Sequence, residues 1–556
     1  MNGMHIIFRA DRLSISVAVF VAFFSVLIVC YSLGAMRGKT RLGLYYGCVL
    51  ITFLGSLGAV FADNLVLFIV FWGFLGIPLY LLIGMGEAER ASYTAKKTFI
   101  LIGGTDCFML LGLAILWQLA GHPGLAQFRM SGIALPLTST AAIMAYLCLL
   151  SGTLAKAGAL PFHTWVPDAS EDTHASVAAF LPAALDKLLG IYFLMRLTLE
   201  IFHMTPAMNT FLMALGSITI IAAVMMALVQ HDLKRLLGYH AVSQVGYMIL
   251  GIGTGSVLGI AGGLFHMLNN TLYKSCLFLA GGAVEQRAGT TDLGRLGGYA
   301  KAMPITFGTF LIASLAIAGV PPFNGFASKW MIYQGILDNG QYGGGLWVVW
   351  LAAAMAGSAL TLASFMKLIH AVFLGQPSTQ AAQLPGDSRE SGPAMLTPMV
   401  ILAALCVVFG VLAYSIPLRL VVFPSIHAHP EFLGLWRPVA ATFLLLLGLG
   451  AGVVIYWLGA AMKTRETKPF VGGETLADFS AMRVSGTEFY KTVQDMPFLN
   501  TVYRLAEKKA FDVYDVGAKL TFSFSRVLGA CHSGELPRYL AWCLAGTLIV
   551  LYLLMR

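Results

Sequence analysis

From Ser14 to Met36 the chain runs without one charged residue, and stretches of this kind recur almost to its end. A helix needs roughly 20 apolar residues to cross about 30 Å of hydrocarbon. Only helices and closed barrels can cross it, because no solvent is there to satisfy a stray backbone group. Apolar runs fall near 13–35, 42–62, 64–85, 98–121, 139–160, 176–203, 208–230, 240–259, 260–284, 303–320, 323–340, 345–374, 397–415, 437–462 and 537–555. They are far too long for strands, so the expected fold class is an all-α polytopic membrane protein of about 13–15 transmembrane helices. Composition excludes a soluble enzyme: charged residues are 11% of the 556, against about 25% in ordinary soluble domains.

The first run is too long for a signal h-region and lacks a small-x-small exit, so it reads as a true span. Eight cysteines, at positions 30, 48, 107, 148, 276, 406, 531 and 543, include no C-x-x-C pair. Cluster ligation and a disulfide framework are therefore not expected. No Walker sequence and no G-x-G-x-x-G opening a βαβ unit is present, so no cofactor or metal is expected in this chain. The net charge of +9 fits basic loops at an anionic leaflet better than nucleic acid. Links carrying Arg37, Lys39 and Arg41, then Arg90, Lys96 and Lys97, alternate with Asp63-Asn64 and His122-Pro123. The positive-inside rule puts the basic links in the cytoplasm. After residue 300 broken helices are expected to spoil this parity.

Two polar breaks interrupt the apolar pattern. One is Leu160-Pro161-Phe162-His163-Thr164-Trp165-Val166-Pro167-Asp168, and the other is Gly319-Val320-Pro321-Pro322-Phe323-Asn324-Gly325-Phe326. Proline removes an amide donor and clashes with the preceding turn. Such backbone is tolerated at membrane depth only when buried in protein or lining a wet cavity. A corresponding pair of interrupted helices is the mark of an inverted-repeat transporter. The tail differs in kind. From Pro497 to Gly529, Arg504, Lys508, Asp512, Asp515, Lys519, Ser523 and Arg526 recur at helical spacing opposite an apolar stripe. One amphipathic helix of about 50 Å, too polar to span, is expected there, with Asp495 and Pro497 at its start.

Ionisable residues inside spans are expensive, by about 2.5–3.5 kcal/mol on insertion scales. Lys156, Lys187, Lys274 and Lys329 lie within or beside apolar helices, joined by Asp106, Asp186 and His266. Each has a plain explanation. A lone lysine near a helix end snorkels, Asp106 bonds polar neighbours, and a lone histidine packs. Asp186 and Lys187 could neutralise each other, although adjacent helical residues point about 100° apart. Against these, four lysines spread over the chain, two beside proline breaks, make a poor set of accidents. His266, Asn270 and Lys274 also step by four along one helix face. A proton relay needs groups of this kind, whose proton affinity responds to their neighbours.

At these residues the sequence resembles a known family. Leu154-Ala155-Lys156-Ala157-Gly158-Ala159-Leu160-Pro161-Phe162-His163-Thr164-Trp165-Val166-Pro167-Asp168-Ala169 is similar to the signature of the antiporter-like subunits of respiratory complex I. Those subunits are shared with energy-converting membrane-bound hydrogenases and multisubunit sodium/proton antiporters. His231 to Tyr239 with Ser243 to Met248, His266 to Leu279, and Gly319 to Lys329 resemble three further family motifs, in order, over roughly residues 10–375. The resemblance implies two inverted five-helix repeats, each with a discontinuous helix, around a polar axis at mid-membrane. By position, Lys156 is the first-repeat broken-helix lysine and Lys187 its neighbour one helix on. His266 and Lys274 link the halves, and Lys329 is the second-repeat broken-helix lysine facing the exit. The tail resembles the lateral helix of the distal subunit, and Leu185 to Tyr192 leans toward the hydrogenase-type branch.

The implied division is an N-terminal span (1–41), a first repeat (42–206), a second repeat (207–375), additional spans (376–463), a connector and lateral helix (464–530) and an anchoring span (531–556). Three departures stand out. Phe71-Trp72-Gly73-Phe74 lacks the glutamate that the family places after Phe-Trp to pair with the broken-helix lysine. Asp106 or Asp186 would have to compensate, unless Gly73 is simply a close helix contact. Asn270 stands where a second histidine is common, and the chain starts at a segment resembling the family's third helix. The expected function is a proton-translocating subunit, with sodium coupling open, of a complex I-like or hydrogenase-type oxidoreductase. Its expected partners are adjacent antiporter-like membrane subunits under the lateral helix, a peripheral redox module and the lipid bilayer of a prokaryotic cytoplasmic (inner) membrane. The alternatives are a subunit of a secondary sodium/proton antiporter, or a structural subunit that has lost pumping.

Overall fold

Where the solvent offers no hydrogen bonds, an apolar run satisfies its backbone by closing on itself as a helix. The computed structural model describes residues 8–341, 345–378, 390–428, 430–434, 437–458, 489–532 and 534–555. Up to Asp495 these form one unit. Its helices include α1 (Arg12–Ala35), α2 (Leu42–Phe61), α3 (Leu65–Phe74), α4 (Gly76–Gly84), α5 (Ala91–Leu119), α6 (Thr140–Ala157), α7 (Trp165–Asp172), α8 (Ala175–Phe180) and α9 (Asp186–Arg196). They continue with α10 (Pro206–Leu228), α11 (Leu233–Gly253), α12 (Val257–Ala288), α13 (Pro304–Ala318), α14 (Asn324–Gln341), α15 (Trp347–Ile369), α16 (Pro393–Val411) and α17 (Pro438–Leu458). Among the described residues, 11 helices are long and apolar enough to cross a membrane. They count α3 with α4, and α8 with α9, as single rods. The crossings by α11, α12 and the broken pair α13–α14 are rich in buried polar residues or short; adding these three to the 11 makes fourteen.

Each expected break is one crossing in two halves, α6 with α7 and α13 with α14. The two runs expected at 303–320 and 323–340 are therefore a single crossing, and parity persists beyond residue 300. Residues 42–201 make five crossings and residues 206–374 make five more, the fourth of each broken. Because five is odd, the second set starts from the opposite face, and the repeats are inverted. Loop contacts mark the two faces. On one, Lys39 pairs with Glu87 at 2.5 Å, Lys234 donates to the Thr173 carbonyl, and Asp232 bridges Asp292. On the other, Phe8 bridges Ala62, Asn64 bridges Arg129, and strand β1 (Leu135–Pro136) pairs in parallel with β2 (Phe202–His203).

The core is centred on α12, buried along nearly its whole length, and on α11. Gly216 of α10 and Gly246 of α11 let these two backbones touch, since a Cβ on either would lie 2.7 Å or less from the other helix's backbone. Small residues serve this purpose where lipid gives helices no hydrophobic reason to associate.

Residues from Met496 onward form a second unit. The amphipathic segment is present, but as two helices, α18 (Pro497–Glu507) and α19 (Val513–Cys531). Lys509 adopts a left-handed conformation at φ 56°, and Asp512 caps α19 by accepting from the Tyr514 amide at 3.0 Å. A capping side chain competes with helix continuation, which the polar periodicity of the sequence does not register. The span α20 (Leu536–Leu554) follows. The connector expected from 464 lies outside the described residues up to 488, as does the expected 437–462 span beyond 458.

The start of the bundle is pinned by charge. Arg196, 3% exposed, donates to both carboxylate oxygens of Asp11 at 2.7 and 2.8 Å and also bonds Glu200. Arg9 joins Glu200 and Asp11 at 2.8 Å each. Burial pushes the Asp11 carboxyl up, but Arg196 and the Ser14 amide and hydroxyl outweigh it and hold the group below the usual carboxylate range. A carboxyl depressed in the fold adds stability that is complete above its unfolded pKa of about 4 and is lost as pH falls further. Asp11→Asn should therefore destabilise the detergent-solubilised protein by about 1–3 kcal/mol, because Glu200 still faces the guanidinium. In thermal unfolding, the gap between native and variant should narrow as pH drops below about 4.

Candidate functional site

Both broken helices stop in the same way. Helix α6 ends on Gly158 at φ +77°, and Ala159 N–H returns to the Leu154 carbonyl at 2.8 Å. Helix α13 ends on Gly319 at φ +84°, and Val320 N–H returns to the Leu315 carbonyl at 3.0 Å. A left-handed residue after a helix is glycine's role, and the motif uses only some of the terminal carbonyls. The remaining ones carry the negative end of the helix dipole into the protein.

Lysines occupy them. The Lys187 Nζ donates to the Ala157 carbonyl of α6 at 2.9 Å. The Lys329 Nζ donates to the Ile317 and Ala318 carbonyls of α13 at 2.9 and 3.4 Å, with the Tyr247 ring 4.7 Å away. Lys156 donates to the Trp72 carbonyl, near the end of α3, at 3.1 Å and lies 4.7 Å over the Trp72 ring. Lys274 donates to the Leu237 carbonyl at 2.6 Å. All four lysines are buried, and among the described residues none is ion-paired with a carboxylate.

The expected residues gather into two groups. In the first half, Asp106 accepts from the Trp72 indole at 2.9 Å, so tryptophan stands between this carboxylate and Lys156. Asp186 is buried, its Oδ2 makes no hydrogen bond, and it acts electrostatically on Lys156 and Lys187. The Asp186–Lys187 ion pair is not formed, because Lys187 turns to Ala157 instead. In the second half, the His266 Nδ1 meets Ser328 Oγ at 2.9 Å, and its Nε2 meets Gln244 Oε1 at 3.1 Å and Tyr273 Oη at 3.3 Å. His266 and Lys274 are not joined through Asn270, whose side chain makes no hydrogen bond. The three residues thus share a helix face without a hydrogen-bonded chain along it, and His266 is tied across to α11 and α14.

Gly73 is not the close helix contact that was one expectation for it, since a Cβ there would meet no heavy atom within 4 Å. Asp106 and Asp186, named as substitutes for the missing glutamate, both act electrostatically on Lys156. Reading the sequence also passed over Trp72, Gln244, Tyr247 and Ser328. All four lie in the quoted segments, but their partners are revealed only by packing. Two further buried titratable residues, His240 and Lys367, lie off the expected axis. The signal for Lys367 was present as another lysine in an apolar run. Among the described residues, no group of three His, Cys, Asp or Glu could hold a metal ion.

Inverted five-crossing repeats with lysines buried at broken helices define an antiporter-like membrane subunit. Residues 62–376 match the family described as NADH:quinone oxidoreductase/Mrp antiporter, TM, and the chain belongs to it. It is 32% identical over 429 residues to Na(+)/H(+) antiporter subunit A1 of Staphylococcus haemolyticus, covering 73% of this chain and 52% of that protein. It is likewise 32% identical over 435 residues to NADH-quinone oxidoreductase subunit N of Desulforudis audaxviator, covering 74% of this chain and 84% of that one. The chain thus spans about half the length of the antiporter relatives it matches. Its fold is shared with a chain of the membrane-bound sulfane sulfur reductase, an archaeal respiratory membrane complex (TM-score 0.82, 24% identity, 99% and 90% of the two chains). It is shared also with a chain of the Mrp complex from Dietzia sp. (TM-score 0.68, 23% identity, 79% and 86%).

The glycines give a direct test of this packing. A Cβ at Gly190 of α9 would sit 2.7 Å from the Ala157 amide, so Gly190→Val should push α9 off α6 and displace the acceptor of Lys187. Overpacking of this kind costs about 1–3 kcal/mol or more. Gly73→Ala should change stability by less than about 1 kcal/mol. Thermal unfolding of the two purified variants checks the contrast, and equal loss in both would refute it.

Proposed function

We propose that this chain is an ion-translocating membrane subunit of a multisubunit redox complex, moving protons, with sodium coupling open, along Asp106, Lys156, Asp186, Lys187, Lys274, His266 and Lys329. One observation carries the reading. Lys156, Lys187 and Lys329 rest on carbonyls at or near the C-terminal ends of helices, and Lys274 on the Leu237 carbonyl within α11, rather than on fixed carboxylates. A full ion pair in low dielectric locks an ammonium in place, whereas partial dipole charges hold it loosely. Such a lysine can exchange its proton when a neighbour moves. The repeats at 42–206 and 207–375 supply one half-path each. The segment at 497–531 braces adjacent membrane subunits, and a peripheral redox module supplies the driving reaction from the cytoplasmic side of a prokaryotic inner membrane.

A second reading, a subunit of a sodium/proton antiporter without redox partners, is favoured by the names of several relatives. Gly73 favours a third, a subunit that has lost pumping. Co-purifying chains and sodium dependence of transport separate the first two. Lys329→Ala separates both from the third: ion movement by the assembled complex in membrane vesicles should fall by about 10²-fold or more. Unchanged transport in a correctly assembled variant would remove Lys329 from the path. Deleting 497–531 should leave the helical core folded while the detergent-purified complex loses a neighbour, read by native mass spectrometry.

A further inference from the structure

We propose that His240, Ser364 and Lys367 form a second proton route, a side branch joining Lys274 to the face of the membrane where α10 ends. The proposal rests on the reading of buried lysines as proton carriers and adds an inlet to it. Lys367, on α15, is fully buried, and its Nζ donates at 2.8 Å to the Leu228 carbonyl and at 2.8 Å to the Gln230 carbonyl. These are the last residue of α10 and a residue of the link beyond it. That link runs on to Asp232, which bridges Asp292, and to Lys234, paired with Glu285 at 2.7 Å. It therefore lies on the face that carries the basic links.

From Lys367 the branch leads inward. Ser364 lies three residues earlier, on the same helix face, and its hydroxyl meets the His240 Nε2 at 2.7 Å. His240 is fully buried on α11, and its Nδ1 makes no hydrogen bond. The Phe365 ring packs 4.8 Å from the imidazole, and the Lys274 Nζ stands 5.8 Å from the same ring. Lys274 bonds the Leu237 carbonyl, one turn before His240 on α11. The charged side chains acting on His240 are Lys274, Lys329 and Lys367. A histidine kept only for packing would not leave a ring nitrogen bare among three lysines, since a buried unbonded polar atom costs free energy that phenylalanine avoids.

The step balances as a proton relay. The Lys367 ammonium, once it swings off the Leu228 and Gln230 carbonyls, passes a proton to Ser364 Oγ as that hydroxyl passes its own to His240 Nε2. The imidazolium then releases its Nδ1 proton to a neutral Lys274 amine. One proton leaves Lys367 and one reaches Lys274. His240 is left as the other tautomer, reset by ring rotation, and Lys367 is reprotonated from water at the rim.

The competing explanation is that Lys367 merely caps α10. Lys367→Arg discriminates, because guanidinium keeps the charge and the donors but does not release a proton. His240→Gln keeps a partner for Ser364 without relaying. In the assembled complex in inverted membrane vesicles, each variant should lower ion movement about tenfold or more with assembly unchanged. The double variant should be no worse than the stronger single. Native transport in an assembled Lys367→Arg complex overturns the branch, as does a double variant whose losses multiply. Should Lys367→Arg fail to assemble, native transport in His240→Gln overturns it alone. Native transport in Lys329→Ala would instead fail the lysine axis itself, so the two failures are distinguishable.

Discussion

An ammonium group in hydrocarbon has to be held by something, and here helix carbonyls hold it. Lys187 rests on the end of α6, Lys329 on the end of α13, Lys367 on the end of α10 and Lys156 beside the end of α3. Each terminus presents roughly half an elementary negative charge, spread over carbonyls that no longer have amide partners. That attraction keeps the cation at a defined depth, yet does not cancel its charge as a carboxylate would. The protonation of each lysine therefore remains answerable to whatever approaches it, which a locked ion pair would prevent.

The rest of the bundle serves to make those helix ends and keep them apart from lipid. Glycine at 158 and 319 ends the half-helices, and the prolines behind them prevent continuation. Gly190 brings α9 close enough for Lys187 to reach Ala157. The ionic contacts lie at the rims instead. Lys97 pairs with Asp168 at 2.8 Å and Arg235 with Glu171 at 2.5 Å on one face, and the Arg196–Asp11–Glu200 cluster lies on the other. Firm ion pairs gather toward the rims, and Lys156, Lys187 and Lys329, deeper in the bundle, are held by carbonyls.

Much of this was legible in the sequence because hydrocarbon leaves a chain few options. Apolar runs gave the crossings, prolines gave the breaks, and a lysine inside such a run is conspicuous. The acceptors were not legible, since a backbone carbonyl has no letter of its own: nothing in the residues named Ala157 or Ile317 as lysine partners. Gly73 misled for the same reason. A missing glutamate invites a search for a substitute carboxylate, and Asp106 and Asp186 do act on Lys156 electrostatically, but its hydrogen bond goes to the Trp72 carbonyl. The tail was misread as one rod because polar periodicity continues across Lys508 to Asp512, although Asp512 starts a new helix. His240 was passed over because it lies between two recognisable motif segments and its Ser364 partner is 124 residues away.

Inversion changes which lysines correspond. Lys156 and Lys329 look equivalent in sequence, since each flanks a proline break, yet Lys156 precedes its break and Lys329 follows its own. The lysine seated on the end of the broken half-helix is Lys187 in the first repeat and Lys329 in the second. By order of crossing, the counterpart of Lys187 is Lys367, fifth in its repeat, which sits on α10 rather than on α13. The accompanying groups differ as well. The first half places Asp106 and Asp186 near its lysines, whereas the second places His240 and His266 there. A carboxylate can offset an arriving positive charge, while a histidine can only share it. Two halves built on one inverted plan therefore differ in electrostatic character.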